Sequence, residues 1–255
     1  MAVPPGAFLV IAVVIGASGV NRGLFLGLNA AFAALGDVLW SHVTLFGDTL
    51  VVSSLLVFLL RRRPAAACAV YVAALAATPV IRIVKPALNV LRPPGILEPG
   101  TFHLIGPSFS QTAFPSGHTT SAFIFAGVVA LTVVRAWWAR ACIIAVALVV
   151  GLSRVAVGIH WPLDVAAGAT LGWSAAALGG IVARRTGWPR TPRQTRILAV
   201  PVILMAAVVT FVYTTEYEHA EIAQRLIGGV CLAWGIREFV MTWRDAGGVG
   251  AGGGA

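Results

Sequence analysis

Long apolar runs, broken by short connections that carry arginine or proline, organise this chain. Runs long enough for a membrane-spanning helix, about 17 to 25 residues, fall at 43–60, 65–84, 116–134, 140–157, 161–183, 197–213 and 222–241. An apolar stretch at 6–20 is short for a span and lacks the basic leader of a secretory signal, so it reads as a retained membrane segment. A weaker stretch, 23–40, reads as interfacial or re-entrant. Backbone amides in hydrocarbon must be paired within their own segment, which makes these runs helices. The pattern predicts an all-α, polytopic membrane bundle of about eight spans.

Composition agrees. Of the 255 residues, 58% are hydrophobic and 11% charged, and the mean hydropathy is +0.90, which excludes an ordinary soluble domain. Cys68, Cys142 and Cys231 each sit in an apolar run, without the spacing of a disulfide framework or a zinc site. They read as small buried hydrophobes.

The net charge of +9 is unevenly placed. Arg61–Arg63, Arg135, Arg140, the five arginines of 184–196, Arg237 and Arg244 lie in connections on one side of the predicted bundle. Arginine-rich connections stay in the cytoplasm. The basic excess is therefore a topology signal and gives no reason to expect nucleic acid. Both termini then fall inside if 6–20 spans once. The other side holds Arg22, Arg82, Lys85, Arg92, Arg154 and Arg225, with Glu98, Glu216, Glu218 and Glu221.

Three blocks with chemistry to offer gather on that second, extracytoplasmic side. The first is Lys85–x6–Arg92–Pro93, in a segment bracketed by Pro86, Pro93 and Pro94 that reads as a rigid loop. The second is Pro115–Ser116–Gly117–His118. Ser116 suits a helix N-cap, Gly117 lets an amide approach an anion, and His118 in the first turn suits proton donation. The third is Ser153–Arg154–x5–His160–x3–Asp164. His160 and Asp164 share a helix face if the stretch is helical, so Asp164 can fix the ring tautomer of His160. Arg154 offers a planar fork to an oxyanion. Plainer readings exist for each block: headgroup anchors for Lys85 and Arg92, a simple capping turn for Pro115–Gly117, and an interfacial histidine bonded to a buried partner for His160 and Asp164. His103 reads as loop surface, and His219 as part of a solvated acidic loop.

With their spacing, the three blocks resemble the signature of the type 2 phosphatidic acid phosphatase superfamily, which also includes glucose-6-phosphatase and vanadium haloperoxidases. The resemblance covers about 80 residues directly. It implies a six-span phosphatase core over residues 1–183, followed by a basic connector at 184–196. A two-helix membrane appendage at 197–241 and a flexible glycine-rich tail at 242–255 lie outside it. By resemblance, His160 would be the nucleophile forming a phosphohistidine, Asp164 its orienting partner and His118 the general acid. Lys85, Arg92, Arg154, Ser116 and Gly117 would hold the phosphate.

No cofactor or metal is implied. The expected partners are the bilayer and a phospholipid or polyprenyl phosphate substrate, met at the outer face of a bacterial inner membrane. Undecaprenyl diphosphate is favoured, with phosphatidylglycerol phosphate and phosphatidic acid as further candidates. A phosphotransferase using the same site, or a protein that binds or transports phosphate lipids without cleaving them, are the alternatives. A haloperoxidase is disfavoured for a lipid-embedded site.

Overall fold

The computed structural model describes residues 5–248, with side chains for 6–243. The described chain is helical throughout and has no strands. In order, α1 is Pro5–Ser18, α2 Asn21–Ala33, α3 Asp37–Leu45, α4 Thr49–Ser54, α5 Pro64–Leu88 and α6 Gly117–Val128. Then follow α7 (Trp137–Ala156), α8 (Pro162–Thr186), α9 (Pro192–Phe211) and α10 (Glu221–Gly248). Of the flexible tail expected at 242–255, residues 242–248 instead continue α10, and the rest lies outside the described residues.

Five helices, α5 and α7 to α10, are long and apolar enough to cross a membrane, and up to seven spans result if two bent pairs each count as one. That is fewer than the eight read from hydropathy, for local reasons. The first pair is α1 and α2, bent by 111°. Fourteen residues of α1 reach only about 21 Å at 1.5 Å per residue, short of a bilayer core of about 30 Å. The second pair is α3 and α4, bent by 50°, where the expected single helix over 43–60 breaks. Asp48 restarts the helix there, its Oδ1 accepting the Leu50 and Val51 amides at 2.8 and 3.2 Å. Gly47 at the break lies against the first turn of α6, because a Cβ on it would stand 2.9 Å from the His118 Cβ.

The centre of the bundle is α8. Its Gly168–x3–Gly172 spacing serves packing inside the chain: a Cβ at Gly168 would meet the Ser116 carbonyl oxygen at 2.7 Å, and one at Gly172 the Thr120 oxygen at 2.5 Å. Both glycines therefore let α8 and α6 touch backbone to backbone. Farther along, Gly179 brings α8 equally close to α5 at Ala69.

The last two helices share this core. Leu198, Ala199, Val202 and Ala206 of α9 and Cys231 of α10 are buried with Leu56, Val57 and the Ala66–Ala77 face of α5. The loop joining α9 to α10 is thereby held over the end of the bundle that carries Lys85 and Arg154. Buried Gln224 fixes it, donating to the Val209 and Tyr213 carbonyls and accepting the Thr215 amide.

Replacing Gly172 by alanine forces α6 and α8 apart and is expected to destabilise the protein by about 1–3 kcal/mol. Thermal unfolding in detergent checks this. Gly229→Ala, where a Cβ meets nothing within 4 Å, should leave the transition in place, and equal melting of both variants would contradict the packing account.

Candidate active site

Three elements bring the blocks together. Lys85 sits in the last turn of α5, not in the loop that its prolines suggested. The helix continues through both Pro79 and Pro86, each of which forfeits one backbone hydrogen bond. Asn89 then ends the helix in the left-handed region, at φ 41°. Arg92 follows in extended conformation. Its amide donates to the Ser110 carbonyl and the Ala113 amide to the Val90 carbonyl, both at 2.8 Å, so the segment from Pro94 to Phe114 folds back as a brace. Loop carbonyls aim both cations: Lys85 Nζ donates to Thr112 at 2.5 Å, and Arg92 Nε to Gln111 at 2.9 Å.

Ser116 is the N-cap of α6, its Oγ accepting the Thr119 amide and hydroxyl. As a hydroxyl it keeps its own proton to donate. A Cβ on Gly117 would meet nothing within 4 Å, so open space lies against the first turn of α6, where free amides favour an anion. His118 follows in that turn, partly buried.

The third block spans the tight turn from α7 to α8. Gly158 makes this turn possible, with φ 84° and the His103 carbonyl where a side chain would stand. Asp164 accepts from the Trp161 amide at 2.8 Å, and its Oδ2 lies 3.2 Å from His160 Nδ1. With Nδ1 donating to the carboxylate, the assigned tautomer leaves the Nε2 lone pair free. His160 and Asp164 are 2% and 1% exposed.

Backbone bonds tie the blocks to one another. The Ser116 amide donates to the Asp164 carbonyl at 3.1 Å, and the Trp161 indole donates to the Leu91 carbonyl at 2.8 Å. Burial, followed by the charges of Arg92, Arg154 and Lys85, holds the His160 pKa well below the usual histidine value. His160 is thus a neutral imidazole within reach of three cations.

Arg154, at the end of α7, shows what the sequence left hidden. The residue is only 2% exposed, and Nη1 donates to the Thr44 hydroxyl and, at 3.0 Å, to the Tyr217 hydroxyl. Its Nε has no partner among the described residues. Tyr217 comes from the α9–α10 loop, far outside the blocks. Beside it, Tyr213 donates to Asp48 Oδ2 at 2.7 Å. Thr44, Asp48, His118, Tyr213, Glu216 and Tyr217 line a cavity of about 80 Å³. The one sequence signal was that two of only three tyrosines fall in that loop. His103 pairs instead with Asp37, at 2.7 Å. No cluster of three or more histidine, cysteine or acidic side chains suited to a metal occurs among the described residues.

A buried His–Asp pair, under the charges of three nearby cations, stands at one end of an apolar helical bundle whose long helices make the chain an integral membrane protein. The PAP2 superfamily model matches residues 64–188, which contain all three blocks. A lipid A 1-phosphatase of Rhizobium etli is 36% identical over 180 residues, 62% of this chain and 74% of that protein. An undecaprenyl-diphosphatase of Sulfolobus acidocaldarius is 38% identical over 34% of this chain, a stretch that spans only 41% of its own length. The crystal structure of Aquifex aeolicus LpxE superposes with a TM-score of 0.56 at 31% identity, covering 65% of this chain and 95% of that one. The chain belongs to the PAP2 superfamily.

Removing the Tyr217 hydroxyl frees one side of the Arg154 guanidinium, and if Arg154 holds a substrate oxygen, binding should weaken. For Tyr217→Phe, KM for a phosphate ester is expected to rise about ten- to a hundred-fold, in line with a hydrogen bond to a charged group, with kcat little changed. Unaltered KM would show that Tyr217 serves only packing.

Proposed function

We propose that this protein is a membrane lipid phosphatase that cleaves a phosphate ester or anhydride through a phosphohistidine on His160. The observation that carries this reading is the buried His160–Asp164 pair, on which the charges of Lys85, Arg92 and Arg154 act.

Lys85, Arg92, Arg154, the Ser116 hydroxyl and the Gly117 amide hold the phosphate oxygens and neutralise charge that grows in transfer. The Nε2 lone pair of His160 attacks phosphorus as the bond to the leaving oxygen breaks. The negative charge of the bound phosphate favours the protonated form of His118, and the imidazolium gives that oxygen its proton. Asp164 keeps the Nδ1 proton in place and stabilises the positive ring that forms. Water then attacks the phosphohistidine, His118 takes its proton, and the P–N bond breaks to release phosphate and neutral His160.

An apolar groove of about 290 Å³, lined by Phe46, Leu55, Ala122, Phe125, Val146 and Val150, supports a lipid substrate. Phe46 adjoins Gly47, which packs against His118, so a tail in this groove would leave its headgroup beside the histidines. The distribution of basic connections supports a site on the outer face of a bacterial inner membrane. The carrier-lipid diphosphate favoured from sequence has a relative's name behind it. The relative covered at greater length is named for a lipid A phosphate, which joins it as a substrate candidate.

Phosphate release from undecaprenyl diphosphate, lipid A, phosphatidylglycerol phosphate and phosphatidic acid, in the presence of a chelator, tests this. Wild type is expected to release phosphate from at least one of them, and His160→Ala to lose about a thousand-fold or more. Full activity in His160→Ala would remove the mechanism. Release from none would favour a phosphate-lipid binding protein, and transfer to an added alcohol in place of release a phosphotransferase.

A further inference from the structure

At the membrane face away from the histidines, a cavity of about 420 Å³ opens between the start of α5, the end of α6 and the end of α8. Arg62, Arg63 and Arg184 line it, with Ala66, Thr132 and Gly180. Neighbouring Arg61 bonds Glu238 at 2.9 Å. Arg62, Arg63 and Arg184, by contrast, have no partner among the described residues.

Arg184 turns into this cavity. Its Nη1 lies 3.4 Å from where a Gly180 Cβ would stand, and the Thr132 methyl is equally close to that point. Gly180 thus keeps open the space that the guanidinium overhangs. A π turn at Val129–Val133, which ends α6, supplies Leu131 and Thr132 to the opposite wall. Arg63 does not cap α5 with its side chain, so the first amides of a 25-residue helix add their partial positive charge. Three cations around one cavity repel each other until an anion enters.

Depth in the bilayer indicates which anion. Both α5 and α8 have 25 residues, about 37 Å at 1.5 Å per residue. With the Lys85 and Asp164 ends at one membrane surface, the Arg63 and Arg184 ends reach the headgroup layer of the other. Trp137 and Trp138 are exposed at the start of α7, on that same side, as an interfacial aromatic belt requires. Ile181, one turn before Arg184, and Leu178 are also exposed and offer acyl chains a path along α8. We propose that this cavity binds the phosphate-bearing headgroup of an anionic phospholipid from the leaflet opposite the catalytic face. Basic pockets between spans suit such headgroups, and the site stands independently of the reaction assigned to His160.

The test is lipid retention. Protein in phosphatidylcholine nanodiscs with a minor fraction of phosphatidylglycerol is moved to detergent, and its bound lipids are counted by native mass spectrometry. Wild type should keep phosphatidylglycerol in excess of its share, and Arg62→Gln/Arg63→Gln/Arg184→Gln should cut that excess about five-fold or more. Arg135→Gln/Arg185→Gln/Arg193→Gln, which removes equal charge from the same face outside the cavity, should keep it. Thr132→Phe fills the cavity with every arginine in place and should lose the excess too, so the result does not rest on one triple variant. Equal retention in the cavity variants and wild type, or equal loss in the charge-matched control, would overturn the proposal. Displacement of the lipid by millimolar inorganic phosphate would overturn it as well, in favour of a free-anion site.

Discussion

Asp164 is the residue on which the catalytic end of this bundle depends. Its carboxylate takes the Trp161 amide and faces His160 Nδ1, while its carbonyl takes the Ser116 amide. One buried residue therefore joins the turn before α8 to the turn before α6. The join is possible only because Gly168, one helical turn farther on, lets α8 press against the Ser116 carbonyl. A carboxylate taken from water is costly. Here two hydrogen bonds and the nearby cations offset that cost, and the result is a fixed tautomer on His160.

The cations have the opposite problem. Arg154 is held by neutral hydroxyls from Thr44 and Tyr217, and Lys85 and Arg92 by loop carbonyls. Dipoles orient these charges without neutralising them, which leaves the positive field that the proposed grip on phosphate requires. That arrangement is preorganisation in the electrostatic sense: little has to move when charge develops on the substrate. It also gives the last two helices a part in the site, since Tyr217 and Tyr213 reach it from the α9–α10 loop.

What could be read from the chain divides along locality. The Ser-Gly-His turn and the i,i+4 relation of His160 to Asp164 are short-range, and their spacing carries the geometry. Charge asymmetry grouped the three blocks on one side, and the fold brings them to one end of the bundle. Thr44 and Tyr217 were invisible because each meets Arg154 only through packing across more than sixty residues. The break at Gly47–Asp48 was missed because hydropathy averages over a window and does not register a cap. Lys85 proved helical because α5 continues through Pro79 and Pro86, whereas prolines read by count suggested a loop.

The central claim is that His160 carries the phosphoryl group between substrate and water. The direct measurement is rapid quenching of wild type with a radiolabelled lipid phosphate, under alkaline conditions that preserve phosphohistidine, followed by peptide mapping. One phosphoryl group on the peptide containing His160, absent from His160→Ala and chased by unlabelled substrate, is the expected result. Turnover without label on His160, or label on a serine or aspartate instead, would contradict it.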